Sequence, residues 1–313
     1  MKKLYLLTLL PLVLTACPKH THELKVKVLC PTGAPSIAFY NYSTDTNFET
    51  NNEVANIAKQ ITSSSPYDVI VIDTTNGLNA IKGGANFKMA ATITLGNFYI
   101  ASTGKDDNDT LDKDDVVVLF GNEAAIPYKI FTYLYGTDYN VEFCGGKVDK
   151  AANVLETGKN TATGHEAEWV FVAEPYLYGA KNNETSIIYN KDYPVIDVQA
   201  IYKQKSGGLP LMQASVFVKD TANKENVDEL LSSLKSDINK GIENPSLIKE
   251  GLDRIDDPHI SETKFGRPSN EIEAIMKYNG LGLGYLSAKE NKDLIDTYIS
   301  LFNMEKTDEK IYY

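Results

Sequence analysis

Along the chain the spacing of apolar positions alternates between a strand period and a helix period. Residues 24–29 set apolar side chains against Lys25 and Lys27, which predicts a strand with one wet face. Residues 67–72 form an apolar run of buried-strand length, and Asp73 to Asn76 then supply cap residues for a helix reaching Lys82, where Gly83 and Gly84 stop it. Between these, residues 51–61 place Val54, Ile57, Ala58 and Ile61 on one helical face. Residues 87–95 and 98–102 read as further strands. A second series starts with a strand at 116–120 and a helix whose inner face carries Ile126, Ile130, Phe131 and Leu134. A strand at 139–143, a helix at 148–155, a strand at 168–173 and a helix opened by Glu174, Pro175 and Tyr176 complete it. Strands at 195–202 and 211–218 flank a Gly- and Pro-bearing return at 206–210. Beyond Asn226 the period is mainly helical: Leu230, Leu231, Leu234 and Ile238 form one stripe, Pro245 follows the cap Asn244, and 268–278 is a further helix. Ser287 to Glu290 reads as a capping box that opens the last one. Two strand–helix series, one interrupting the other, predict an α/β chain of two lobes.

The first seventeen residues carry a different pattern. Lys2 and Lys3 precede an apolar run at 4–14 and a small-residue site, which is the pattern of a secretory leader. The run is too short to span a bilayer, which needs about 20 apolar residues. Leu14, Thr15, Ala16 and Cys17 resemble the lipobox of bacterial lipoproteins. That resemblance implies cleavage before Cys17, diacylation of its thiol, and a protein held outside the cytoplasmic membrane by lipid. Residues 1–16 are then a leader and 17–23 a tether, in which His20 and His22 are read as solvated.

Charge narrows the partners. The chain has 42 acidic and 31 basic residues, a net charge of −11, and loss of Lys2 and Lys3 makes it more acidic. Such a surface disfavours nucleic acid, whose binding is dominated by phosphate contacts. Of the three cysteines, Cys17 is assigned to lipid; Cys30 and Cys144 could pair in an exported protein or stay as buried thiols, and their places at the ends of two separate strands favour the thiols. The aspartate-rich stretch 104–115 fails as an EF-hand: the loop from Asp107 has Asp112 where Gly is needed and Val118 where Glu is needed. It reads as a solvated connector. No G-x-S-x-G, H-E-x-x-H or Walker pattern occurs, so no enzyme, cofactor or metal is expected. An extracellular hydrolase using His165 or His259, and a surface adhesion lipoprotein, are the alternatives from other functional classes.

Ligands of open α/β sheets bind beyond the carboxyl ends of strands, where helix N-termini offer free N–H groups. Four strand-to-helix turns qualify, at 32–36, 74–77, 121–125 and 174–176. The candidate donors are Thr32, Gly33, Ser36, Thr74, Thr75, Asn76 and Asn122; Glu123 and Glu174 are candidate acceptors; Tyr40, Phe98, Tyr128 and Tyr176 are candidate stacking surfaces. The Pro-Thr-Gly-Ala-Pro turn at 31–35, the strand ending in Ala173, Glu174 and Pro175, and the return through Gly207, Gly208, Leu209 and Pro210 follow the lipobox in an order that resembles ABC-transporter solute-binding proteins. The similar subgroup is the nitrate/sulfonate/taurine and thiamine-precursor type. The resemblance implies a type II periplasmic-binding fold with a cleft between its lobes and two hinge crossovers, near 103–107 and 200–208. Lobe one would comprise 24–105 and 203–313, and lobe two 106–202. It further implies a monomer that closes on a small solute and delivers it to a membrane permease. The four turns lack Arg and Lys, and their carboxylates and tyrosines suit a neutral or cationic heteroaromatic such as a pyrimidine or thiamine-like compound. The same fold also serves nitrate- and sulfonate-type anions, which is the alternative.

Overall fold

The computed structural model describes residues 23–105 and 110–313. The leader, Cys17, the tether as far as residue 22 and part of the aspartate-rich connector lie outside the described residues. In chain order the strands are β1 (Val28–Pro31), β2 (Phe48–Asn51), β3 (Val69–Asp73), β4 (Phe87–Thr94), β5 (Phe98–Ser102), β6 (Val116–Leu119), β7 (Asn140–Phe143), β8 (Trp169–Ala173), β9 (Val195–Asp197), β10 (Ala214–Lys219) and β11 (Leu283–Ser287). They form two sheets, one ordered β11-β4-β10-β3-β1-β2 and the other β7-β6-β8-β5-β9. In each sheet a parallel group, β2-β1-β3 or β7-β6-β8, meets antiparallel strands that arrive from the crossovers.

The apolar run of β3 is buried at all five positions, as expected for a parallel strand covered on both faces. One core packs the first sheet against helices Lys224–Glu243, Pro245–Leu252 and Ser269–Asn279 through Leu234, Ile238, Ile248 and Ile275. A second core is continuous across both sheets and joins Ile70, Ile72 and Phe217 to Phe98, Trp169 and Phe171. A third lies under helix Val148–Thr157 in the second lobe. Among the described residues no helix is long and apolar enough to cross a membrane.

The tertiary structure corrects several expectations. β5 pairs with β8 and β9, so residues 98–102 belong to the second sheet. The first crossover is therefore 95–97, ahead of the expected 103–107, and the second is 206–213, between helix Val198–Lys205 and β10. Strand and lobe membership depend on which edge a strand pairs with, which local period does not report. Residues 198–202 are helical because Asp197 caps them, its carboxylate accepting from the Ala200 N–H at 3.0 Å. Ser287 ends β11, and the last helix begins only at Lys292 without a side-chain cap bond. Cys30, in β1, and Cys144, just past the end of β7, are buried free thiols, and burial pushes both upward, Cys144 to about 11.

The crossovers are tied to each other. The Asn97 N–H donates to Gln213 Oε1 at 3.1 Å, and the Phe98 N–H donates to Gln199 Oε1 at 2.6 Å. Gly282, with φ at 63°, brings its carbonyl to the Leu95 N–H at 2.6 Å, and a Cβ there would sit 1.9 Å from the Gly96 oxygen. The junction between the lobes is thus a knuckle of close backbone approaches.

Candidate functional site

A cavity of about 530 Å³ opens where the carboxyl ends of β1, β3, β6 and β8 face one another. Lobe one contributes Thr32 and Gly33 after β1, Asn51 and Asn52 at the end of β2, and Asp73 and Asn76 at the β3 turn. Lobe two contributes Phe120 and Asn122 after β6 and Glu174 and Tyr176 after β8. Asn97 and Gln213, one from each crossover, complete the floor.

Each position follows from local structure. Asp73 ends β3 and caps helix Thr74–Lys82: its Oδ1 accepts from the Asn76 N–H at 2.9 Å and from the Thr75 hydroxyl at 2.7 Å. Burial pushes the Asp73 carboxyl upward, against those hydrogen bonds and the nearby Lys129 charge. Glu174 is buried at the end of β8, and its Oε2 accepts from the Tyr178 N–H at 2.9 Å in the first turn of helix Tyr176–Asn182. Burial also raises the Tyr176 phenol, against the Arg267 charge. Asn97 is buried; its Nδ2 donates to the Glu174 carbonyl at 2.7 Å, while its Oδ1 has no partner among the described residues.

The lobes touch around this cavity. Lys129 of lobe two donates to Thr75 Oγ1 of lobe one at 3.2 Å, and Lys147 pairs with Glu53 at 3.3 Å. Gly33 faces the Tyr176 ring, which a Cβ would meet at 3.7 Å. The second pair is partly exposed and contributes little stability on its own.

Thr32, Gly33, Asn76, Phe98, Asn122, Glu174 and Tyr176 share the cavity lining. The structure moves the remaining candidates elsewhere. Tyr40 sits in the lobe-one core, its hydroxyl donating to the Asp237 carbonyl at 3.2 Å, and burial pushes it up to about 12. The Ser36 hydroxyl lies 2.8 Å from the Gly33 carbonyl and 2.9 Å from the Lys264 carbonyl, between which its one proton is shared; it pins a turn. Thr74 is turned inward onto the Met212 carbonyl at 2.7 Å. Thr75 is buried on Asp73. Glu123 and Tyr128 line a separate hollow of about 140 Å³, where Tyr128 packs 5.6 Å from the Phe143 ring. A helix turn separates side chains by about 100° per residue, so adjacent members of one turn cannot all face the same cavity. Asn51, Asn97 and Gln213 were not anticipated. Their signal, carboxamides at a strand end and inside two crossovers, is visible only once strand ends and crossovers are known.

No family model matches the chain, and no curated protein matches it. Solved structures do. An ABC transporter protein from Parabacteroides distasonis superposes with a TM-score of 0.65 at 18% identity, covering 91% of this chain and 94% of that one. The aliphatic sulphonate binding protein of Escherichia coli gives a TM-score of 0.59 at 8% identity, covering 91% of each chain. A Candida albicans protein described as having the generic periplasmic binding protein fold gives 0.55 at 13% identity, covering 91% and 92%. The fold is that of the periplasmic binding proteins. In these terms the cavity occupies the interlobe cleft and 95–97 and 206–213 are the hinge crossovers.

Proposed function

We propose that the chain is the solute-binding component of an ABC import system, lipid-anchored outside the cytoplasmic membrane through Cys17. It captures a small molecule between its lobes and presents the closed form to a membrane permease. The observation that carries this reading is a single cavity built from both lobes and both crossovers: a ligand that touches all of them favours one interlobe angle over others. Its volume, about 530 Å³, suits a ring-sized molecule better than nitrate, since binding pockets for such ligands run from about 300 to 1,000 Å³. The lining has two carboxylates, Asp73 and Glu174, the aromatic rings Phe98, Phe120 and Tyr176, and neither Lys nor Arg. This supports a neutral or cationic heteroaromatic, such as a pyrimidine or thiamine-like compound, over the nitrate or sulfonate alternative.

Titration calorimetry on the purified protein, with small-angle scattering before and after addition, tests the reading. A ligand at 100 times its dissociation constant should add about 2.7 kcal/mol to unfolding stability and reduce the radius of gyration if the lobes open without it. Hydrolysis of an ester or peptide, with no small solute bound, would sink it. The anchor has its own test. Labelled palmitate should enter the wild-type chain and be lost from Cys17→Ser, which should leave the membrane fraction; label retained in that variant refutes lipidation at Cys17.

A further inference from the structure

The orientation of the carboxamides in the cleft carries information about the ligand. A primary amide presents an oxygen acceptor at one end and an NH₂ donor at the other, and its hydrogen-bond partners decide which end points where. A backbone N–H can only donate, so any amide end that receives one must be the oxygen. Asn51 Oδ1 receives the Glu53 N–H at 2.8 Å, Asn122 Oδ1 receives the Ala124 N–H at 2.9 Å, and Gln213 Oε1 receives the Asn97 N–H at 3.1 Å. The NH₂ ends of these three side chains make no hydrogen bond to the described residues. They come from lobe one, lobe two and the second crossover, and all line the same cavity. Asn97 is held the opposite way. Its NH₂ end is taken by the Glu174 carbonyl, and its Oδ1, in a side chain only 2% exposed, is buried beneath the cavity with no partner among the described residues.

The charged groups nearby are largely held by the protein. Asp73 Oδ1 accepts from Thr75 and Asn76, its Oδ2 is buried with no partner among the described residues, and Glu174 Oε2 accepts from Tyr178. Lys129 and Lys147 lie outside the cavity lining and are held by Thr75 and Glu53. A free anion would find donors without a compensating cation. A cation would meet three amide dipoles turned the wrong way.

Resting on the solute-binding reading, we infer that the cleft selects an uncharged ring bearing several carbonyl or ring-nitrogen acceptors. Asn51, Asn122 and Gln213 donate to its acceptors. A site built to hydrogen-bond a polar group rejects analogues lacking it strongly, because its own polar groups are then left unpaired.

The test uses the full chain in detergent and calorimetric titration with uracil and nicotinamide as uncharged cyclic carbonyl probes, thiamine as a cation and taurine as an anion. At least one uncharged probe is expected to bind about 10-fold or more tightly than either charged one. Gln213→Glu and Asn51→Asp exchange each donor for an acceptor and keep the oxygen that the Asn97 or Glu53 N–H needs. Each should weaken the uncharged probe about 10- to 100-fold with thermal melting nearly unchanged. Preferential binding of thiamine or taurine overturns the inference and leaves the solute-binding reading standing, as does wild-type affinity in both isosteric variants. Binding of none of the four, with no change in scattering, counts against both.

Discussion

Gly77→Ala should lower the unfolding free energy by about 3 kcal/mol, although alanine is the better helix former by about 1 kcal/mol. Gly77 lies inside helix Thr74–Lys82, where that helix crosses β10. A Cβ there would stand 2.1 Å from Cζ of Phe217, a ring with no exposure in the core shared by both lobes. The ring cannot move without displacing its neighbours, because interiors are packed at crystal-like density. Urea denaturation gives the size of the loss. The double variant Gly77→Ala with Phe217→Leu separates the causes: if the clash is responsible, the pair should be less destabilised than the sum of its single changes. A single variant as stable as wild type would show that helix propensity outweighs the overlap. The same helix carries Asn76 into the cleft, so its displacement should also weaken ligand binding.

Asp73 should give opposite results for two substitutions. Asp73→Ala removes the helix cap and leaves the Asn76 N–H and the buried Thr75 hydroxyl without their acceptor, a loss of about 2–4 kcal/mol. Asp73→Asn keeps an oxygen for both donors and removes a buried charge, so at neutral pH it should equal or exceed wild type in stability. The pH dependence fixes the sign. Burial raises the Asp73 carboxyl above its ordinary 3.8, so the folded chain holds this proton more tightly than the unfolded one. The stability linked to that proton is complete below about 3.8 and is lost as pH rises through the folded value. The advantage of Asp73→Asn over wild type should therefore grow with pH above that point and then level off. Denaturation curves across this range measure it; an advantage that shrinks with rising pH would mean that the carboxylate is stabilised by Thr75, Asn76 and Lys129 more than burial penalises it.

The turns that frame the cleft could be read in the chain because helix starts and strand ends have local causes. The turn after β3 is an example: an apolar run followed by Asp73 and two threonines specifies a strand, a cap and a helix within one stretch. The turn bearing Glu174 and Tyr176 was legible for the same reason. What a turn does with each side chain was not. Thr74 and Thr75 are adjacent to Asn76, yet the first two are buried on protein partners and only the third lines the cleft. Tyr40 looked like a stacking surface from its place near the first turn, but helices from the far end of the chain cover it at Gly241 and Gly251.

Local period and composition determined the two strand–helix series, the acidic balance, and the turns where a ligand could meet helix N-termini. These properties arise within a few residues and need no knowledge of distant contacts. Only the tertiary structure decided that β5 leaves the first sheet for the second, that the crossovers are 95–97 and 206–213, and that Asn97 and Gln213 bond across them. Strand pairing joins residues more than a hundred positions apart, as Phe217 and Met89 do in the first sheet, and no local pattern encodes the partner. The amides are the sharpest case. Their residue types are plain in the sequence, but which end of each faces the cleft is set by the backbone N–H that holds the other.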